Sequence, residues 1–171
     1  MNPKIVSPNE WLDARVQLLS KEKELTRLRD ELAKARGELP WVRVAKDYVF
    51  EGADGKHSLS ELFAGKSQLV VWHFMMGPGW KEGCPSCSLL SDHVNGALEH
   101  LAARDVEYVA ISRAPYPEIA PFRARMGWRF NWVSSYETEF NRDFHVSFTK
   151  EELAKPKRKG SASRWSFQTN V

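Results

Sequence analysis

Cysteine is scarce in this chain, with two residues in 171, Cys84 and Cys87. A disulfide-stapled secreted scaffold of this length would carry more, and two thiols cannot build a four-cysteine zinc site. Long apolar runs are missing too. None approaches the roughly 18 residues needed to cross a bilayer, so no membrane partner is expected. Met1 to Asn9 holds no apolar segment of the secretory-signal kind. These absences make a cytoplasmic protein the expectation. The body of the chain also lacks a basic surplus. The net charge is +3, yet Lys150 to Val171 carries +4 and the remainder −1. Nucleic acid is therefore not an expected partner, and the run KPKRKGSASR reads as a solvated, flexible tail.

Aromatic residues are plentiful. Seven Trp, nine Phe and four Tyr are ample for a packed core in one domain with an appended element. Three segments are expected: an amphipathic helix over 1–38, an α/β domain over 39–149 and the basic tail over 150–171.

Ser7-Pro8-Asn9-Glu10 reads as a helix start. Ser7 and Glu10 can satisfy each other's unpaired backbone donors, and Pro8 loses nothing at the first helical position. Apolar residues then recur at Trp11, Ala14, Leu18, Leu25, Leu28, Leu32 and Ala35, interrupted by Lys21, until Gly37 and Pro40. Such a stripe fits an arm packed on its own domain or a dimerising coiled-coil seam.

Further along, Trp41 to Phe50 alternates well enough for two short strands or one bulged strand. Asp54-Gly55 is a turn signal, and Ser58 to Phe63 a helical turn closed by Gly65. Gln68 to Met75 is a continuous apolar run, which predicts a strand covered on both faces. A Gly/Pro-rich loop spans Met76 to Gly83, followed by a helix from about Cys84 to Ala103 with Leu89, Leu90, Val94, Ala97, Leu98 and Leu101 on one face. Val106 to Ile111 predicts a second buried strand, Pro117 to Met126 a helix ended by Gly127, Trp128 to Ser135 a shorter strand, and Phe140 to Phe144 another helical turn. Apolar strands alternating with amphipathic helices imply a mainly parallel α/β sheet with right-handed crossovers.

Cys84-Pro85-Ser86-Cys87 lies between a strand, a loop and a helix, and that context gives it chemical meaning. Thiolates attack disulfides and peroxides, whereas thiols hardly do. Free N–H groups and the dipole at a helix N-terminus favour the anion. Pro85 fits the first helical position, which makes Cys84 the N-cap and aims its sulfur at the N–H groups of Ser86 and Cys87. Cys87, one turn in, is shielded and can resolve a mixed disulfide on Cys84. Haem attachment would need His where Ser88 stands. A zinc site would need two more ligands near the thiols, and His93 and His100 are spread along the following helix. No cofactor or metal is expected.

These residues resemble a known group. Asp54 to Lys66, the strand Leu69-Val-Val-Trp-His-Phe74 and CPSC look like the opening of thioredoxin-fold, peroxiredoxin-like and thiol–disulfide reductase domains. More narrowly, ELTRLRDELA, LPWVRVAKDYVF, HFMMGPGWKEGCPSCS, HLAARDVEYVAISRAP, RMGWRFNWVSS and FNRDFHVSF resemble a bacterial thioredoxin-like family catalogued as domain of unknown function 899. The resemblance runs from about Ile5 to Leu153. It implies a thioredoxin-like fold, a three-layer α/β/α arrangement around a mainly parallel sheet, with a CxxC site.

Three departures stand out. Gly83 replaces the Trp that precedes the first cysteine of thioredoxins, and Trp80 lies four residues before it. Gly77 and Lys81 stand where peroxiredoxins place the Pro and Thr of their peroxide-binding motif. After Phe148 no alternating strand pair or final helix is evident, so an incomplete C-terminal closing unit is expected, without the cis-proline that faces the thiols in thioredoxins.

Around the thiols, Met75 to Trp80 is expected to form a wall. Trp80 either shields Cys84, grips a substrate or packs on the helix. Arg113, just past a strand's C-terminal end, could lower a thiol pKa, hold an anionic substrate or stand solvated. His73 reads as a satisfied core histidine, and Trp128 and Trp132 as core. The expected function is thiol–disulfide exchange, with Cys84 as nucleophile, Cys87 as resolving thiol, and Trp80, Pro85, Ser86 and Arg113 in support. The partners would be a protein or small-molecule disulfide and a thiol reductant. Two alternatives remain: a non-catalytic interaction module, dimerising through the N-terminal helix, and a thiol peroxidase using Cys84.

Overall fold

The computed structural model describes residues 3–148. The chain divides into two compact units, Met1–Trp41 and Val42–Val171. The first is helix α1 (Pro8–Gly37), whose capping box forms as the sequence predicts. The Ser7 hydroxyl accepts from the Glu10 N–H at 3.3 Å, and the Glu10 carboxylate accepts from the Ser7 N–H at 2.9 Å. The Ser7 hydroxyl also donates to the Glu10 carboxylate at 2.7 Å, and this bond, followed by that from the Ser7 N–H, holds the Glu10 carboxyl below its usual range. None of the helix's apolar residues is buried.

The second unit is a five-stranded sheet with helices. Its elements are β1 (Val49–Gly52), β2 (Gly55–Ser58), a 3₁₀ turn (Glu61–Phe63), β3 (Gln68–His73), α2 (Pro85–Asn95), α3 (Leu98–Ala102), β4 (Val106–Ser112), α4 (Tyr116–Met126), β5 (Asn131–Ser134) and α5 (Phe140–Asp143). The strand order is β2-β1-β5-β4-β3. β3, β4 and β5 run parallel, while β1 pairs antiparallel with both β5 and β2. Asp54-Gly55 lies at the turn of the β1–β2 hairpin, with Gly55 at φ 121.

β4 is the strand covered on both faces. Tyr108 and Ala110 point into one cluster with Phe74, Met76, Cys87, Ile119, Phe122, Trp128 and Trp132. Val109 and Ile111 point into the other, with Tyr48, Phe50, Leu62, Val133 and Phe140. β5 alternates likewise through Trp132 and Val133. The first cluster is largely aromatic, and Phe74, Phe122, Trp128 and Trp132 meet with ring centroids 4.4 to 6.3 Å apart. Trp128 also donates its indole N–H to Asp92 at 2.7 Å, tying α2 to the segment before β5.

Several expectations need correction. β3 is not covered on both faces. Among the described residues it pairs only with β4, none of its residues is buried, and Val70 is 43% exposed. Its apolar run serves an edge position, and the buried residues come just after it, at Phe74 and Met76. The segment before β1 forms no regular strand from Trp41 to Tyr48. Pairing begins only at Val49, because the hairpin turn at Asp54-Gly55 sets the register. The helix expected from Cys84 to Ala103 breaks at Gly96-Ala97 into α2 and α3. Its buried stripe runs through Cys87, Ser91, Val94, Leu98 and Leu101, whereas Leu89 and Leu90 are exposed. The stripe follows the residue that must meet the sheet, Cys87, and not the most apolar pair. The basic tail over 150–171 and any closing unit lie outside the described residues.

Candidate active site

The loop between β3 and α2 arrives on the C-terminal edge of the parallel strands, the edge at which ligands bind in open α/β sheets. It is sewn to its neighbours by backbone hydrogen bonds. Phe74 N–H donates to Ile111 O at 2.9 Å, Ala114 N–H to Met76 O at 3.0 Å and Cys84 N–H to Met75 O at 3.0 Å. Ser112 is fully buried between them. Its hydroxyl donates to Phe74 O at 2.7 Å and accepts from the Trp132 indole N–H at 3.0 Å. The Ser134 hydroxyl acts similarly, donating to Ala114 O at 2.6 Å, while the backbone N–H of buried Ser135 donates to Ser112 O at 2.8 Å. The sequence carried no clear sign of these three buried serines.

Cys84 is the N-cap of α2 and Pro85 its first residue. The Cys84 sulfur sits at the helix tip without a formed side-chain cap hydrogen bond, and the nearby backbone N–H of Cys87, ahead of that of Ser86, favours its thiolate. Together they lower the Cys84 pKa against a smaller opposing effect of burial. Arg113 is not among the groups that lower it. Cys87 is buried at 8% exposure, and desolvation raises its pKa despite a hydrogen bond from the Met75 N–H. The Cys84 thiolate raises it further. Two thiols one turn apart are thus pushed in opposite directions. Both are free thiols in this structure.

Gly83 shows why no Trp can precede Cys84 here. A Cβ on Gly83 would collide with the Phe74 ring and reach Cε1 of Phe122 at 3.0 Å. Trp80 lies 46% exposed, with its indole against Gly77 of its own loop. Met75, at 58% exposure, is the other open apolar side chain of that loop. Pro85 and Ser86 are exposed at the helix tip.

Arg113 is exposed and lines a cavity of about 260 Å³ beside the same loop. His73 departs from expectation. It stacks on Phe140 with centroids 5.4 Å apart, but its buried Nδ1 has no hydrogen-bond partner, and desolvation lowers its pKa to about 4. Trp128 and Trp132 are core, at 5% and 0% exposure. Among the described residues, no group of three or more His, Cys, Asp or Glu could hold a metal ion, and no helix is long and apolar enough to cross a membrane.

An α/β protein with a CxxC pair at a helix N-terminus, on the C-terminal edge of a parallel sheet, has the layout of a thioredoxin-like domain. The family model described as "Bacterial protein of unknown function (DUF899)" matches residues 1–171, and the chain belongs to that family. Comparison with curated proteins finds no match. Among solved structures, the chain is similar to the crystal structure of a "putative Thiol:disulfide interchange protein DsbE from Chlorobium tepidum", at TM-score 0.47 and 20% identity over 64% of this chain and 73% of that one.

Proposed function

We propose that the protein carries out thiol–disulfide exchange through Cys84 and Cys87. The observation that supports this reading best is the opposite displacement of the two thiol pKa values by named causes: backbone N–H groups at Cys84, burial at Cys87. The Cys84 thiolate attacks one sulfur of a substrate disulfide. That S–S bond breaks, a new one forms to Cys84, and the departing thiolate takes up a proton. Cys87 then loses its proton and attacks the Cys84 sulfur, which releases the second substrate thiol. Two electrons pass from the protein dithiol to the substrate, and an external thiol reductant restores the pair.

Single-turnover mixing of the reduced protein with a disulfide, followed by mass spectrometry, tests the reading. The wild type should yield an intramolecular Cys84–Cys87 disulfide. Cys87→Ser should stop at the mixed disulfide, and Cys84→Ser should lose at least about 100-fold in rate, as expected when the more acidic and accessible thiol is removed. A Cys84→Ser rate equal to wild type would sink the idea.

A second reading, self-association through α1, is supported by the exposure of Trp11, Leu18, Leu25, Leu28 and Leu32 along that helix.

A further inference from the structure

Helix α2 buries two residues, Cys87 and Ser91. Four apart in sequence, they are neighbours on one face of the helix. Ser91 is fully buried, and its hydroxyl has no hydrogen-bond partner among the described residues. Tyr108 of β4 is 4% exposed and belongs to the same cluster as Cys87. Its hydroxyl is also buried and without a partner. Burial holds this phenol neutral, well above its ordinary range. The Ser91 hydroxyl is close enough to act against that effect, and negative charge on Cys87 adds to it. Such influences fade with distance, so Cys87, Ser91 and Tyr108 form one polar group inside a largely aromatic layer.

A buried hydroxyl without a partner costs stability, and its retention needs a reason. Nearby Ser112 and Ser134 are committed, donating to Phe74 O and Ala114 O. The Trp72 indole N–H also lacks a partner in this layer, but it is not among the groups that act on Cys87 or Tyr108. Cys87 supplies the reason. As a thiolate it would be a buried charge with the Met75 N–H as donor, and a buried charge needs further hydrogen bonds.

We propose that the Ser91 hydroxyl donates to the Cys87 sulfur as that thiol ionises, and that the Tyr108 hydroxyl donates to Ser91 and holds it in that orientation. This rests on the exchange reaction proposed above, in which Cys87 resolves the mixed disulfide. Cys87 gives its proton to solvent, and both hydroxyls keep theirs. The Cys87 thiolate then attacks Cys84, and the bond from Cys84 to the substrate sulfur breaks with its electron pair leaving on that sulfur. Ser91 acts on the reacting atom, and Tyr108 is a positioning residue that acts through Ser91. A chain of two donors strengthens the bond nearest the charge. The other ionisable side chains against this layer are Cys84, Asp92 on the Trp128 indole N–H, Tyr116, and Arg125 over the Phe122 ring. Of these only Cys84 shifts Cys87.

The test uses the full chain, reduced, mixed with excess hydroxyethyl disulfide. Quenched-flow mass spectrometry follows capture, as the mixed disulfide on Cys84, and resolution, as the Cys84–Cys87 disulfide, across a pH series. Ser91→Ala should slow resolution about tenfold at neutral pH and move its pH profile up by about one unit. Tyr108→Phe should do the same by about threefold, and capture should be unchanged in both. Each substitution removes one unpartnered oxygen, so urea midpoints should not fall. Unmoved resolution, or slowing with an unmoved pH profile, would overturn the proposal.

A second measurement needs no exchange. In Cys84→Ser, Cys87 is the sole cysteine, and the NMR shift of its labelled Cβ reports ionisation. Adding Ser91→Ala or Tyr108→Phe should move that titration to higher pH. A titration that moves although no disulfide forms supports the two hydroxyls and defeats only the exchange reading. Disulfide formation with unmoved profiles and an unmoved titration defeats only the hydroxyls.

Discussion

His73 shows what one residue can set. It is a base held neutral by its surroundings, with a folded pKa near 4 against an ordinary 6.5. The unfolded chain therefore binds a proton there before the folded protein does. Stability is full above about pH 6.5 and falls as pH drops toward 4, by up to roughly 3 kcal/mol. His73→Phe should flatten this part of a pH series of urea midpoints. If wild type and variant lose stability in parallel between pH 6.5 and 4, His73 is not the group responsible. The sequence placed His73 in the core but credited it with a partner. Composition cannot reveal that its neighbours would be the rings of Phe140 and Phe144, which offer Nδ1 nothing to bond. The placement of Cys84 and Cys87 was legible for the opposite reason: it follows from position on a single helix turn.

At the scale of elements, the buried serines fix where the thiol-bearing loop sits. Ser112 joins Phe74 of that loop to Trp132 of β5. Ser112→Ala should strand the Trp132 indole N–H and the Phe74 carbonyl, costing roughly 1–3 kcal/mol. Chemical denaturation measures it, and a loss below about 0.5 kcal/mol would mean that water or a relaxed loop satisfies both groups. Three helix ends were readable, at the Ser7–Glu10 box, at Pro85 after Cys84 and at Gly127 closing α4 at φ 68, whereas the break at Gly96-Ala97 was not. Strand burial was less readable. The runs in β3 and β4 both read as buried, yet only β4 is interior to the sheet while β3 lies at its edge, because strand order depends on contacts distant in sequence that an apolar count does not record. The cavity was invisible for the same reason. Arg113 stood out beside its strand, but Glu137 and Asn141 join it only through the fold.

For the whole molecule, the proposed self-association is assigned to α1. A seam of half-exposed leucines on a 30-residue helix predicts a dimer held at that stripe. Light scattering on wild type and on the double variant Leu25→Glu, Leu32→Glu distinguishes the cases: a dimer that becomes a monomer supports the seam, and a monomer in both discards it. In the proposed exchange reaction, the asymmetry of the two thiols sets a clock for any encounter with a disulfide. Capture depends on Cys84, whose thiolate persists to lower pH than that of an ordinary cysteine. Release depends on Cys87, which gives up its proton less readily than an ordinary cysteine. As pH falls, the thiolate needed for the second event is lost before the one needed for the first. The captured partner then stays attached for longer, so mildly acidic quenching should recover the physiological substrate still bonded to the unmutated protein.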